Sequence, residues 1–133
     1  MAEEPTYTFE EANALIPQVR AVLLQLAIEK QRFDEALAAL HAEHAAHATA
    51  GSNGSHADVE EREAALAQVG EGIKGLLALL ESLGVQVRDL ESGLVDIPTQ
   101  RDGVRAWLCW RLSDAELGFW HSTSEGFANR KPW

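Results

Sequence analysis

Leu76-Leu77-Ala78-Leu79-Leu80-Glu81-Ser82-Leu83-Gly84-Val85-Gln86-Val87-Arg88-Asp89-Leu90 is the stretch in which the chain changes its period. Up to Leu83 the apolar residues recur at three- and four-residue steps, the spacing of one helix face. After Gly84 they alternate, the spacing of a strand with two unlike faces. Glycine just past a helix relieves the left-handed turn that a side chain would resist. Helix before Gly84 and sheet after it make an α+β protein.

Working back from Gly84, Val59, Leu66, Val69, Ile73, Leu76, Leu80 and Leu83 form the stripe of a helix over 58–83, with Asp58 as its N-cap. Gly70, Gly72 and Gly75 inside it read as points of close helix approach. Ala50-Gly51-Ser52-Asn53-Gly54-Ser55 has the composition of a turn, so 48–57 is a flexible loop. Leu15, Val19, Val22, Leu26, Phe33, Leu37 and Leu40 draw a second stripe over 8–47. Thr8 and Glu11 open it as a capping box. Pro17 offers no amide to the Asn13 carbonyl, so a kink is expected there. The two segments form a long antiparallel helical hairpin.

Working forward, strands are expected near Val85–Leu90, Leu94–Pro98, Val104–Leu112 and Glu116–His121, a small antiparallel meander of three to four strands. A two-residue turn at Asp114-Ala115 sets Ser113 opposite Glu116. That register puts Leu108, Trp110, Leu112, Leu117, Phe119 and His121 on one face, and Trp107, Cys109, Arg111 and Trp120 on the other. The 133 residues form one domain, with tails at 1–7 and 122–133.

The net charge of −10 is uneven: residues 1–83 carry 14 acidic and 5 basic side chains. An acidic body repels phosphate backbones, so no nucleic-acid partner is expected. No apolar run reaches the ~20 residues of a membrane span, and the acidic start lacks a signal-peptide pattern. One cysteine builds neither a disulfide framework nor a thiolate cage. A cytoplasmic protein is expected. Two amphipathic helices with no third to cover them lead to a homodimer built as a four-helix bundle.

Three sets of side chains carry candidate chemistry. His121 at a strand end, Glu125 in the next loop and Asp96 on a neighbouring strand offer donors for a divalent metal, or a base with its orienting acid. The blander reading, that His121 and Glu125 pin the C-terminal loop, is preferred. His41, His44 and His47 step along one helix and His56 lies across the loop; they offer an alternative site for Zn²⁺ or Ni²⁺, or are simply solvated. Cys109 lies on the face opposite His121 in this register, which reads as a buried, inert thiol. Asn13 is expected to converge with Glu10, Asp96, His121 and Glu125 at one end, and Trp110 to join that binding surface.

Tyr7-Thr8-Phe9-Glu10-Glu11-Ala12-Asn13-Ala14-Leu15-Ile16-Pro17, Gly93-Leu94-Val95-Asp96-Ile97-Pro98, Leu108-Cys109-Trp110-Arg111-Leu112, and Trp120-His121 with Gly126-Phe127 and Arg130 resemble an uncharacterised bacterial family, domain of unknown function 2203. The resemblance runs nearly end to end and implies a helical hairpin with a small β-region; it brings no activity. Ile97 stands where phenylalanine is usual, and Ser113-Asp114 where Gly-Glu is common. The functional expectation is a non-enzymatic dimeric interaction or scaffold protein using its aromatic β-region. The alternative is a metal- or small-ligand-binding protein or enzyme centred on Asp96, His121 and Glu125.

Overall fold

The computed structural model describes residues 5–49 and 56–133; the turn expected at Ala50–Ser55 lies outside the described residues. The capping box forms as its chemistry requires. Thr8 Oγ1 accepts from the Glu11 amide at 3.1 Å, and Glu11 Oε1 accepts from the Thr8 amide at 2.9 Å. Helix α1 then runs Phe9–Thr49 and continues through Pro17. Helix α2 runs His56–Ser82. It ends in a Schellman motif: Val85 N donates to Leu80 O, Gly84 N to Glu81 O, and Gly84 takes φ +77°. Leu80 and Val85, the apolar pair of that motif, are both buried.

The chain divides into two compact units, Leu26–Leu76 and the remainder. In Leu26–Leu76 the facing lengths of α1 and α2 form the helical hairpin. A Cβ at Gly70 would stand 3.7 Å from the Phe33 ring, an ordinary van der Waals contact, so the approach of the helices expected to need glycine does not need it there. Gly72 and Gly75 face open space instead. Apart from Leu26, no described residue of this unit is buried.

The other unit is a five-stranded antiparallel sheet in the order β1-β2-β3-β4-β5, with the first turns of α1 against it. The strands are β1 Gln86–Asp89, β2 Leu94–Arg101, β3 Val104–Trp110, β4 Phe119–Ser122 and β5 Lys131–Pro132. The fifth strand lies in the expected tail. Two residues carry no readable alternation, and Pro132 sits at the edge, where a missing amide costs no ladder bond. Asp102 and Gly103, both with positive φ, close the β2–β3 hairpin as a primed turn.

The expected register is one residue out. Leu108 lies opposite Trp120, Trp107 opposite His121 and Cys109 opposite Phe119. Trp110 and His121, expected together, are on opposite faces, while Cys109 and His121 share one. The cause is the connection. Residues 111–118 form a wide loop, in which the Asp114 amide donates to Arg111 O at 2.9 Å and Asp114 Oδ2 accepts from Arg111 N at 3.2 Å. A one-residue slip exchanges the faces of a whole strand.

Val95, Ile97, Thr99, Leu108 and Trp110 form the helix-side face and meet Ala12, Ile16, Val19 and Leu23 of α1 in one core. Tyr7 ties three elements together: its amide donates to Pro98 O, its carbonyl accepts from Thr99 Oγ1, and its hydroxyl donates to Leu83 O. Gly93, at φ +65°, turns β1 into β2 with no room for a side chain; a Cβ there would lie 2.6 Å from Leu112 Cγ and Cδ1. Gly93→Ala is expected to destabilise by about 2–4 kcal/mol, combining left-handed strain with overpacking. Urea unfolding measures this; a cost under about 0.5 kcal/mol, the size of an ordinary surface change, would show that the turn relaxes freely.

Candidate metal centre

On the sheet face away from α1, the register aligns three central strands so that Asp96 of β2, Cys109 of β3 and His121 of β4 converge. One ligand atom from each falls within 4.8 Å of the others, and all three residues are buried. His121 Nε2 lies 3.0 Å from Asp96 Oδ1, and Arg88 Nε donates to Asp96 Oδ2 at 2.8 Å. His121 Nδ1 lies 2.8 Å from the Ser122 carbonyl.

That geometry constrains the imidazole. A carbonyl only accepts, so Nδ1 carries a hydrogen. Nε2 then turns its remaining site towards an Asp96 oxygen. A proton shared by the two, or a metal ion between them, joins the pair. An Nδ1–H bound to a backbone carbonyl is also the arrangement that orients metal-ligating histidines.

Burial, followed by the charge of Asp96, pushes the Cys109 thiol up to about 12, with Arg130 opposing. Both ring nitrogens of His121 are already engaged, so the histidine offers Cys109 no base. The trio therefore does not work as a nucleophilic triad. A thiol raised from 9.0 to about 12 contributes stability that is whole below pH 9 and is lost as the pH rises towards 12. In metal-free, folded protein near pH ~8, Cys109 should react with iodoacetamide about a thousandfold more slowly than a free thiol. A rate equal to that of free cysteine would show an open, activated thiol.

The other candidate residues fall elsewhere. Glu125 is occupied in its own loop, accepting from Ser122 N at 3.4 Å and from Lys131 Nζ at 3.3 Å. Its carboxyl is held below the usual range by hydrogen bonds from Ser122, then Lys131. Asn13 is exposed on the helix side, where it lines a cleft with Glu116 and Leu117. The expected convergence of Glu10, Asn13, Asp96, His121 and Glu125 therefore does not occur. His41, His44 and His47 form no cluster of three donors among the described residues, and the side chain of His56 lies outside them.

Trp110 is core, fully buried beneath the Arg20 guanidinium at 5.3 Å. The other tryptophans also carry cations. Arg88 and Arg105 lie over Trp107, Arg101 and Lys131 over Trp120, and Arg101 over Trp133. Arg130 bonds both oxygens of Asp114 and lies over Phe119 and Phe127. Burial raises the Asp114 carboxyl, but the hydrogen bonds from Arg130 and from the Arg111 backbone outweigh it, and the net direction is down. Among the described residues no helix is long and apolar enough to cross a membrane.

Fold and site together define an α+β protein with a helical hairpin, a meander sheet and a buried Asp-Cys-His cluster. The chain belongs to the family described as Uncharacterized conserved protein (DUF2203), which matches residues 5–133. No curated protein and no solved structure matches it.

Proposed function

We propose that this protein binds a divalent transition-metal ion through Asp96, Cys109 and His121. The observation that carries this reading is the convergence of three buried donors of different kinds within 4.8 Å. Oxygen, sulfur and nitrogen donors together favour zinc, whose tetrahedral sites separate donors by roughly 3.3–3.6 Å. Cys109 stands where Glu125 was expected. Arg88 keeps its bond to Asp96 Oδ2, leaving Oδ1 to the ion; Arg130 lies close enough to Cys109 to stabilise a thiolate. Three protein ligands leave a fourth position for a non-protein ligand, the donor count of sites that do chemistry or exchange ligands.

Elemental analysis of untagged protein tests the proposal, together with Co²⁺ loading. Near-stoichiometric metal and a thiolate-to-cobalt charge-transfer band are expected. Cys109→Ser should lose the band and weaken binding by more than the roughly 10–100-fold seen when a partner orienting a ligand is removed. Metal-free protein that takes up no Co²⁺, with both His121 nitrogens protonated by ¹⁵N NMR, would instead establish a structural imidazolium–carboxylate pair.

A second reading concerns self-association, and the half-buried state of the hairpin favours it. Phe33, Leu37, Leu40, Leu66, Val69, Ile73 and Leu76 stay only partly covered, and Ile28 is 48% exposed. A second copy laying the same stripe against this one would complete a bundle. Light scattering should give twice the 14.5 kDa chain mass. A monomer mass that persists at about 100 μM, where any dimer tighter than that Kd is mostly formed, would end this reading.

A further inference from the structure

The first turns of α1 and the Ala115–Leu117 stretch enclose a cleft of about 440 Å³, lined by Phe9, Asn13, Ile16, Arg20, Glu116 and Leu117 among others. Arg20 rests over the Trp110 indole at 5.3 Å and is half-buried. It makes no hydrogen bond or ion pair with any described residue, so its donor fork is unspent. Glu116 lines the same cleft and is equally without a partner among the described residues. Two opposite charges therefore share one concavity without neutralising each other.

Each group has a matching ligand group. A guanidinium held on a rigid indole presents parallel donors to a carboxylate. Glu116 accepts from an ammonium. Phe9, Ile16 and Leu117 add an apolar wall. A dianion would be attracted by Arg20 and repelled by Glu116, whereas a zwitterion satisfies both. We propose that this cleft binds a small zwitterion, an α-amino acid with an apolar side chain. The cleft lies on the helix side of the sheet and the Asp96–Cys109–His121 cluster on the other, so the proposal does not rest on the metal reading.

Titration calorimetry and tryptophan fluorescence on the full chain test it, with L-leucine as probe beside isocaproate, which lacks the ammonium, and isoamylamine, which lacks the carboxylate. L-leucine should bind saturably, and each analogue should bind at least about tenfold more weakly, the value of one charge-assisted hydrogen bond. Arg20→Gln should weaken L-leucine by a similar factor. Glu116 is exposed, so Glu116→Gln should leave the melting temperature unchanged and abolish the preference for L-leucine over isocaproate. That variant remains informative even if Arg20→Gln disturbs the packing on Trp110. No saturable binding of L-leucine, isocaproate bound as tightly as L-leucine, or an unaltered preference in Glu116→Gln would overturn the proposal.

Discussion

Asp96→Ala is expected to cost about 3–5 kcal/mol, the range for removing one partner of a buried charged network. The two residues that depend on Asp96 differ in how they can respond. Arg88 is 44% exposed in its side chain and can turn to solvent; the His121 side chain is 3% exposed and cannot. Most of the cost therefore falls on the imidazole, left with Nε2 facing nothing and Nδ1 still tied to Ser122. Asp96→Asn should cost less, because its amide can donate to a neutral Nε2, yet it removes the anionic ligand. The pair of variants separates two roles: Asn preserves stability while weakening metal binding, and Ala loses both. Urea unfolding with metal titration on the same samples reads them out, and a cost below about 1 kcal/mol for Asp96→Ala would show that the network carries little of the fold.

Trp110→Ala should be comparably damaging, at about 3–5 kcal/mol, since it empties the largest fully buried side-chain volume among the described residues. Trp110→Phe should be far milder. The indole Nε1 has no hydrogen-bond partner, so phenylalanine gives up volume without orphaning a donor. Arg20 stacks on this ring, so Arg20→Gln and Trp110→Ala should be less than additive, by about 0.5–2 kcal/mol. Equal costs for the Phe and Ala variants would mean that the indole nitrogen matters through a contact this structure does not contain.

Much of the architecture was legible because its causes are local. Thr8 and Glu11 satisfy each other's amides within one turn, and Gly84 sits where a left-handed residue ends α2. The site was legible in part. Asp96 and His121 stand out in the sequence as polar side chains at strand positions, and they meet. A two-residue turn at Asp114-Ala115 would turn Cys109 away from His121, so its place in the site is not legible. Glu125 follows His121 closely in sequence, whereas Ser122 and Lys131 hold it in its own loop. The parity of the 111–118 connection was the missing signal; the Asp114 side chain, shared between the Arg111 amide and Arg130, was the one hint that this segment is a structured loop.

What the sequence alone determined is what neighbours a few residues apart set: the two helices, the opening of α1 at Thr8 and Glu11, and the end of α2 with the switch to alternation at Gly84; the start of α2 at His56 lies two residues before the expected Asp58 cap. Hydrophobic period and turn chemistry act over that range and need no partner from afar. The tertiary structure alone decided which residues face each other: Cys109 with Asp96 and His121, Arg20 with Trp110, and β5 with β4. Strand pairing has a period of two, so one residue in a loop held by the distant Arg130 exchanges the two faces of β4. Local propensity does not contain that information.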